Sequence, residues 1–184
     1  VIKSGVMDRQ KLALGIYGEP VNKALRKIDK DFVNGRVWSK DASLWTTYNP
    51  ERHAIEKRLG WLDVLDTIDI DRIKALRTTI EASDFEHVVL LGMGGSSLAA
   101  DVLYQVFGQQ ANFPELIILD STDPQRIEQV EASIMLDKTL FIVASKSGKT
   151  TETIAFYHYF WAKTSENGTQ FIAITDPELS LIHI

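Results

Sequence analysis

The sequence contains no cysteine, no surplus of positive charge and no long apolar run. Without cysteine the chain can form neither a disulfide nor a thiolate metal site, which fits a reducing compartment and predicts a cytoplasmic protein. A formal net charge of -5 leaves no basic surplus to displace the counterions of a nucleic acid. No apolar run reaches the roughly 20 residues of a membrane helix, and no signal peptide is visible. We therefore expect no nucleic-acid or membrane partner.

The residues that are present are those of an ordinary globular protein. Hydrophobic residues make up 45% and charged residues 24% of the 184 positions, a balance that provides ample material for a core. This length fits one domain, or one domain with an incomplete neighbour. The chain begins with Val1 and stops soon after a strand-like run, so we expect both ends to be cut.

The first eighty residues carry helical patterns and no chemistry that we can name. Apolar residues at helical spacing predict helices over about residues 19–33, 50–59 and 70–82. Gly35 is the predicted stop of the first helix. Trp38 and Trp45 stand in a non-periodic segment, which predicts a loop whose indoles dock on the core. We interpret residues 1–84 as a helical N-terminal segment that packs on the domain after it.

From Glu86 onward, strand patterns and helix patterns alternate. The predicted strands are His87–Leu91, Leu116–Leu119, Thr139–Val143 and Gln170–Ile174. This alternation is typical of α/β proteins and predicts a doubly wound parallel sheet over residues 85–184. Open sheets of this kind bind their ligands at the carboxyl ends of the strands, so the loops there are the candidate site.

The loop after the third strand combines hydroxyls, a charge and a helix start. It reads Ser-Lys-Ser-Gly-Lys-Thr over residues 145–150, between the buried-strand pattern Phe141–Val143 and a helical pattern that begins at Thr150. The start of a helix offers unpaired backbone N–H groups and the positive end of the helix dipole. The hydroxyls add donors and Lys146 adds a full charge. These features suit a phosphate group.

Two nucleotide-binding motifs resemble parts of this sequence, and helix capping is a third interpretation. Residues 143–150 end like a P-loop, but Val143 stands where that motif needs a glycine. Residues 92–97, with Asp120 ending the next strand, resemble a dinucleotide fingerprint, but Ser97 replaces the third glycine. The hydroxyls of the later loop could also simply cap the helix that follows them.

Four motifs follow one another along the second half of the chain. They read Leu91-Gly-Met-Gly-Gly-Ser-Ser-Leu98, Leu119-Asp-Ser-Thr-Asp-Pro124, Ser145-Lys-Ser-Gly-Lys-Thr-Thr-Glu-Thr153 and Phe171-Ile-Ala-Ile-Thr-Asp-Pro177. In this order they resemble the first sugar-isomerase (SIS) domain of the glucose-6-phosphate isomerase family. The resemblance implies an α/β fold of SIS type, a flavodoxin-like three-layer sandwich. Upstream, Trp38–Trp45 and Arg58–Leu62 resemble the isomerase half of transaldolase–isomerase fusions.

The resemblance implies a role for each matching residue. Gly95 and Ser96 would lie against the sugar phosphate. The oxygens of its phosphate would be held by Ser145, Lys146, Ser147 and Thr150. Glu152 matches a family glutamate close to the sugar and its ordered water, which implies an auxiliary catalytic role. The family needs no metal and no cofactor.

The family reaction interconverts glucose 6-phosphate and fructose 6-phosphate through a cis-enediol intermediate, as a step of glycolysis and gluconeogenesis. It needs a carboxylate base, an Arg for the enediolate, and His and Lys for ring opening. The resemblance places these residues beyond Ile184, in a second SIS domain. We therefore expect a fragment that is inactive alone. A homodimer and a fused transaldolase domain both stay open as partners.

Departures from the family pattern leave other interpretations open. Lys149 replaces a small or neutral residue, Ala99–Asp101 replaces a Gly-Pro-Glu-like continuation, and the tail Leu179–Ile184 does not continue the pattern. The chain could instead be a regulatory SIS module that binds another phosphosugar. It could also belong to an isomerase of aminosugar or mannose phosphates, because the phosphate-binding residues do not contact the C2 substituent.

Overall fold

The structure is a computed structural model that describes residues 13–176. The chain divides between Asp69 and Ile70 into two compact units. Compactness alone does not define a domain, so the division into residues 1–84 and 85–184 stays a prediction. Within the described residues, no helix is both long and apolar enough to cross a membrane. The unusual tail at Leu179–Ile184 lies outside the described residues.

The first unit is helical, and its first break differs from the predicted one. Its helices are α1 (Gly18–Lys30), α2 (Val33–Trp38), α3 (Asn49–Lys57) and α4 (Val64–Thr67). The chain breaks at Phe32, whose φ is 49°, and Gly35 lies inside α2. A Cβ atom on Gly35 would stand 2.0 Å from the Phe32 ring. The prediction of a helix stop was therefore wrong, because this glycine makes room for an aromatic ring.

The tryptophans of the first unit do not dock on a core. Trp38 is 67% exposed and Trp45 is 51% exposed. Within residues 13–69 the one apolar residue that is buried is Ala42. Short helices without a sheet offer little surface to cover an indole. The predicted burial of these two side chains was therefore wrong.

The second unit contains the predicted parallel sheet. It runs α5 (Ile70–Glu81), β1 (His87–Gly92), α6 (Leu98–Phe107), β2 (Glu115–Leu119), α7 (Pro124–Ser133), β3 (Thr139–Ala144), α8 (Thr151–Lys163) and β4 (Phe171–Ile174). All neighbouring strands are parallel, in the order β2-β1-β3-β4. The predicted α/β fold class is confirmed.

The strand order places two loops side by side. The chain passes from β1 to β2 on one side of β1, and then returns to β3 on the other side. Gly92 at the end of β1 pairs with Ala144 at the end of β3. The loops after these strands therefore begin level with one another, at the point where the direction of winding reverses. Open α/β sheets bind ligands at this point.

The core lies between the sheet and the pair α7 and α8. Its fully buried members include Val89, Leu91, Leu119, Phe141, Val143, Phe156 and Phe160. The Phe141 ring stacks on Phe160 at 4.7 Å and on Phe171 at 5.1 Å between ring centroids. Ile142, whose side chain points to the opposite face, is only half-buried. Val88, Leu90 and Leu140 of that face are buried, so the central strands are covered on both faces.

A polar cluster joins the outer surfaces of α7 and α8. The Glu131 carboxylate accepts hydrogen bonds from Lys163 Nζ, at 2.7 Å, and from the Tyr159 hydroxyl. The hydrogen bond from Lys163, followed by that from Tyr159, holds the pKa of Glu131 below its ordinary value of 4.5. Ionised Glu131 therefore binds α7 to α8 more tightly than the protonated acid does.

We expect the stabilising effect of Glu131 to depend on pH. Because the folded-state pKa is lowered, this contribution is full above pH 4.5 and is lost as the pH falls through the folded value. Glu131→Gln should therefore destabilise the protein at neutral pH and much less at about pH 3. Urea unfolding of both proteins at the two pH values measures the difference. The exposed Glu128→Gln is the control, and an equal loss at both pH values would contradict the assignment.

Candidate functional site

The loop after β1 is a tight turn that depends on glycine. Gly94 has a φ of +54°, a conformation that side chains rarely adopt. The Ser96 N–H donates to the Met93 carbonyl at 3.1 Å, and the Ser97 N–H donates to the Gly94 carbonyl at 3.1 Å. The buried Ser97 hydroxyl also donates to the Gly94 carbonyl. Ser97 therefore maintains the turn.

Two further glycines of this loop have opposite surroundings. A Cβ atom on Gly92 would lie 3.2 Å from the Ser96 carbonyl oxygen, so the end of β1 packs closely against the turn. A Cβ atom on Gly95 would meet no described atom within 4 Å. Gly95 is exposed and Ser96 is half-buried. The backbone at Gly95 is thus open to an approaching ligand.

The loop after β3 is fixed to the end of β4. The Ser145 N–H donates to the Ile174 carbonyl at 3.0 Å, and the Asp176 N–H donates to the Lys146 carbonyl at 3.2 Å. The loop then turns back on itself, because the Gly148 N–H donates to the Ser145 carbonyl at 3.0 Å with Gly148 at φ +61°. These bonds fix the backbone path before α8 begins.

The hydroxyls of this loop face one another. Ser145 Oγ lies 3.0 Å from Thr150 Oγ1, and Ser145 is buried. The Thr150 side chain makes no capping hydrogen bond to any described N–H group of α8. Ser147 Oγ instead accepts the Lys149 N–H at 3.2 Å, outside the helix. The interpretation of these hydroxyls as simple helix caps was therefore wrong for Thr150.

The first turn of α8 keeps its backbone donors directed at the loop. The first helical hydrogen bond runs from the Ile154 N–H to the Thr150 carbonyl at 3.0 Å. The N–H groups of residues 151–153 therefore precede the helical ladder, and a helix of 13 residues places its positive end there. Such a helix start attracts an anion.

The structure brings the predicted site residues to one edge of the sheet. Gly95 and Ser96 follow β1, and the segment 145–150 follows β3, its neighbour. Half-buried Glu152 lies in the first turn of α8, while Lys146 and Lys149 are exposed. Their positions agree with the prediction, and their binding roles stay predictions.

One residue of this region was missed from the sequence. Thr153 is fully buried in the first turn of α8, and its hydroxyl has no hydrogen-bond partner within residues 13–176. A signal was present, because Thr153 follows Thr150 by three positions and so lies on the same face of a helix. Within the same residues, no group of three or more acidic, His or Cys side chains could hold a metal ion.

Comparisons with known proteins agree on one family. Residues 70–173 match a family described as phosphoglucose isomerase. The glucose-6-phosphate isomerase of Campylobacter jejuni is 30% identical over 129 residues, which are 67% of this chain and 32% of that protein. The glucose-6-phosphate isomerase of Borrelia garinii is 38% identical over 95 residues, which are 49% of this chain and 18% of that protein.

Solved structures share the fold. A hypothetical protein of Thermus thermophilus matches with a TM-score of 0.62 and 24% identity, over 90% of this chain and 38% of that one. A glucose-6-phosphate isomerase from Chlamydia trachomatis matches with a TM-score of 0.55 and 23% identity, over 79% of this chain and 28% of that one. The chain thus spans less than two fifths of the proteins that it matches.

Proposed function

Because the chain belongs to the phosphoglucose isomerase family, we propose that its two adjoining loops bind the phosphate group of a sugar phosphate. The observation that carries this proposal is the pair of hydroxyls of Ser145 and Thr150, whose oxygens lie 3.0 Å apart at the start of α8. Thr150 does not use its hydroxyl to cap that helix. A phosphate there would receive hydroxyl donors together with the backbone donors of α8. The glycine turn after β1 lies on the adjacent strand.

Each residue of the two loops has its own binding role in this proposal. Ser145, Ser147 and Thr150 donate hydroxyl hydrogen bonds to phosphate oxygens, and Lys146 supplies positive charge. The open backbone at Gly95, followed by Ser96, receives the sugar side of the ligand. Phosphate oxygens accept but cannot donate when fully ionised, so a site made of donors selects them.

The finer proposal concerns the reaction. We propose that the chain is the phosphate-binding part of an isomerase of glucose 6-phosphate and fructose 6-phosphate, and that the rest of such an enzyme supplies the base for the cis-enediol step. Glu152 would act beside the sugar as an auxiliary group. The relatives' names support this substrate, and the short coverage supports a fragment. A cytoplasmic location, a second SIS domain, a homodimer and a transaldolase fusion stay predictions.

Calorimetry with three ligands tests the proposal. Fructose 6-phosphate, fructose and ATP with magnesium are titrated into the chain, and isomerase turnover is assayed in parallel. We expect binding of the phosphorylated sugar alone, without turnover. Turnover would contradict the fragment proposal, and tight binding of ATP would favour the P-loop interpretation.

The substitution Gly95→Ala should lower the affinity for the ligand without changing the stability of the fold. The added methyl group meets open space in the protein but projects where the ligand would approach. We expect the free energy of unfolding to change by less than about 0.5 kcal/mol and fructose 6-phosphate to bind roughly tenfold more weakly, or about 1.4 kcal/mol. Gly60→Ala is the matched control, since its Cβ atom is equally uncrowded. Equal affinities of wild type and Gly95→Ala would remove Gly95 from the site.

A further inference from the structure

The Thr153 hydroxyl is an exception among the buried polar side chains that the structure describes. Thr153 is fully buried, and its Oγ1 atom has no hydrogen-bond partner among residues 13–176. The other buried polar side chains of the same residues all make hydrogen bonds; they are Ser97, Thr139, Ser145, Thr164 and Gln170. A buried hydroxyl without a partner has lost its hydrogen bonds to water and gained none in exchange. Valine would fill a similar space without this cost, so packing alone gives no reason for a threonine here.

Thr153 lies on the face of α8 that packs against the sheet. Thr153, Phe156 and Phe160 are fully buried and recur at intervals of three and four positions, so they form one stripe on the helix. The Phe160 ring stacks on Phe141 of β3. From Phe160 back to Thr153 the helix spans about 10 Å, which is the length of about three residues of a strand. Because α8 leads back from the end of β3 to the start of the parallel strand β4, Thr153 is level with the end of β3 at Ala144, where the phosphate loop begins.

The hydroxyls of Ser145 and Thr150 share one hydrogen bond. Their oxygens lie 3.0 Å apart, and either hydroxyl can be the donor. A hydroxyl has one hydrogen to donate and can accept two hydrogen bonds. If both hydroxyls donate to a phosphate, neither can donate to the other, and both oxygens can then accept from a further donor.

Thr153 is placed to be that donor. It follows Thr150 by three positions, and residues at this spacing have Cβ atoms about 5–6 Å apart on one side of a helix. Hydroxyls that turn toward each other across such a gap come within hydrogen-bond distance. Threonine in a helix uses two χ1 rotamers, so its hydroxyl can change direction without a movement of the backbone.

We propose that Thr153 is a positioning residue of the phosphate site, an inference that rests on the proposed function. When a phosphate ester binds, the Thr153 hydroxyl donates to Thr150 Oγ1, and Thr150 donates its own hydrogen to a phosphate oxygen. These two hydrogen bonds in series fix the direction of the Thr150 hydroxyl, and hydrogen bonds in series strengthen one another. The hydroxyl that lowers the stability of the free chain thus contributes to binding.

Thr153→Val tests this proposal, because it removes the hydroxyl and keeps the shape of the side chain. We expect fructose 6-phosphate to bind roughly tenfold more weakly, which corresponds to the loss of about one hydrogen bond. We expect the urea midpoint of unfolding to equal or exceed that of the wild type, because an unpaired buried hydroxyl has been removed. Calorimetric titration measures the affinity, and urea unfolding followed by circular dichroism measures the midpoint.

Thr153→Ser makes the opposite change, because it keeps the hydroxyl and removes the methyl group. It should keep the wild-type affinity and lower the unfolding midpoint, so that affinity follows the hydroxyl and stability follows the methyl group. The matched control is Thr164→Val at the other end of α8, where the buried hydroxyl donates to the Phe160 carbonyl at 3.0 Å. This control should lower the midpoint and leave the affinity unchanged.

A double-mutant cycle tests whether Thr153 acts through Thr150. In a chain that carries Thr150→Ala, the change Thr153→Val should cause no further loss of affinity. Equal losses with and without the Thr150 hydroxyl would overturn the proposal, and so would wild-type affinity in Thr153→Val. A lower unfolding midpoint in Thr153→Val would also overturn it, because the hydroxyl would then have a partner in the free chain.

The same titrations separate this inference from the proposed function. If the chain does not bind fructose 6-phosphate, or if Ser145→Ala with Thr150→Ala binds it as tightly as the wild type, the proposed phosphate site is itself wrong. If that pair of changes weakens binding and Thr153→Val does not, the site stands and only the role of Thr153 is wrong.

Discussion

Ser145→Ala combined with Thr150→Ala should weaken the binding of fructose 6-phosphate by about 3 kcal/mol, or roughly 150-fold. The two hydroxyls lie 3.0 Å apart and would donate to phosphate oxygens, and hydrogen bonds to a charged acceptor are the stronger kind. The two hydroxyls are hydrogen-bonded to each other, so removing both leaves neither without a partner. The free energy of binding should therefore fall by more than the free energy of unfolding. Calorimetric titration measures the affinity.

The matched control removes two hydroxyls at the other end of the sheet. Thr139 opens β3 and bonds the Met135 carbonyl, and Thr164 follows the end of α8. The double change Thr139→Ala with Thr164→Ala should lower stability and leave the affinity of the folded protein unchanged. If the Ser145 and Thr150 pair can be removed without any loss of affinity, the phosphate site lies elsewhere.

Phe141→Ala should destabilise the protein by about 3 to 5 kcal/mol. Its ring is fully buried and stacks between Phe160 and Phe171, so the change leaves a cavity between β3, α8 and β4 that rigid neighbours cannot fill. Domains are commonly stable by only about 5 to 15 kcal/mol, so this is a large share. Chemical unfolding followed by circular dichroism measures the effect.

Phe107→Ala is the control for this prediction. Phe107 ends α6 and is largely exposed, so its removal should change the free energy of unfolding by less than about 0.5 kcal/mol. Similar losses for the two variants would show that Phe141 is not the centre of the core. The comparison also separates the effect of burial from the effect of aromatic content.

The sheet could be predicted from the sequence because buried parallel strands have an unambiguous pattern. The strand Thr139–Ala144 is almost wholly apolar, and it stands between two helical patterns. Short periodic segments separated by helices leave few topologies. The sequence therefore also predicted that the loops after β1 and β3 share one edge.

The predictions that were wrong concern residues whose surroundings depend on tertiary contacts. Gly35 looks like a helix stop, and nothing local shows that the Phe32 ring lies over it. Trp38 was expected to dock on the core from a non-periodic loop, but its unit has no sheet against which to pack. Thr150 looks like a cap by its type, and only the backbone path after Ser145 turns its hydroxyl toward that residue.

The pairing of Gly92 with Ala144 joins positions that are 52 residues apart in the chain. The two loops of the site therefore meet only after a long loop has closed, at an entropic cost that local structure cannot offset. Parallel strands of high sequence separation pair slowly, so the site is completed late in folding. During refolding, the capacity to bind phosphate should arise with the slow step that completes the β1–β3 ladder.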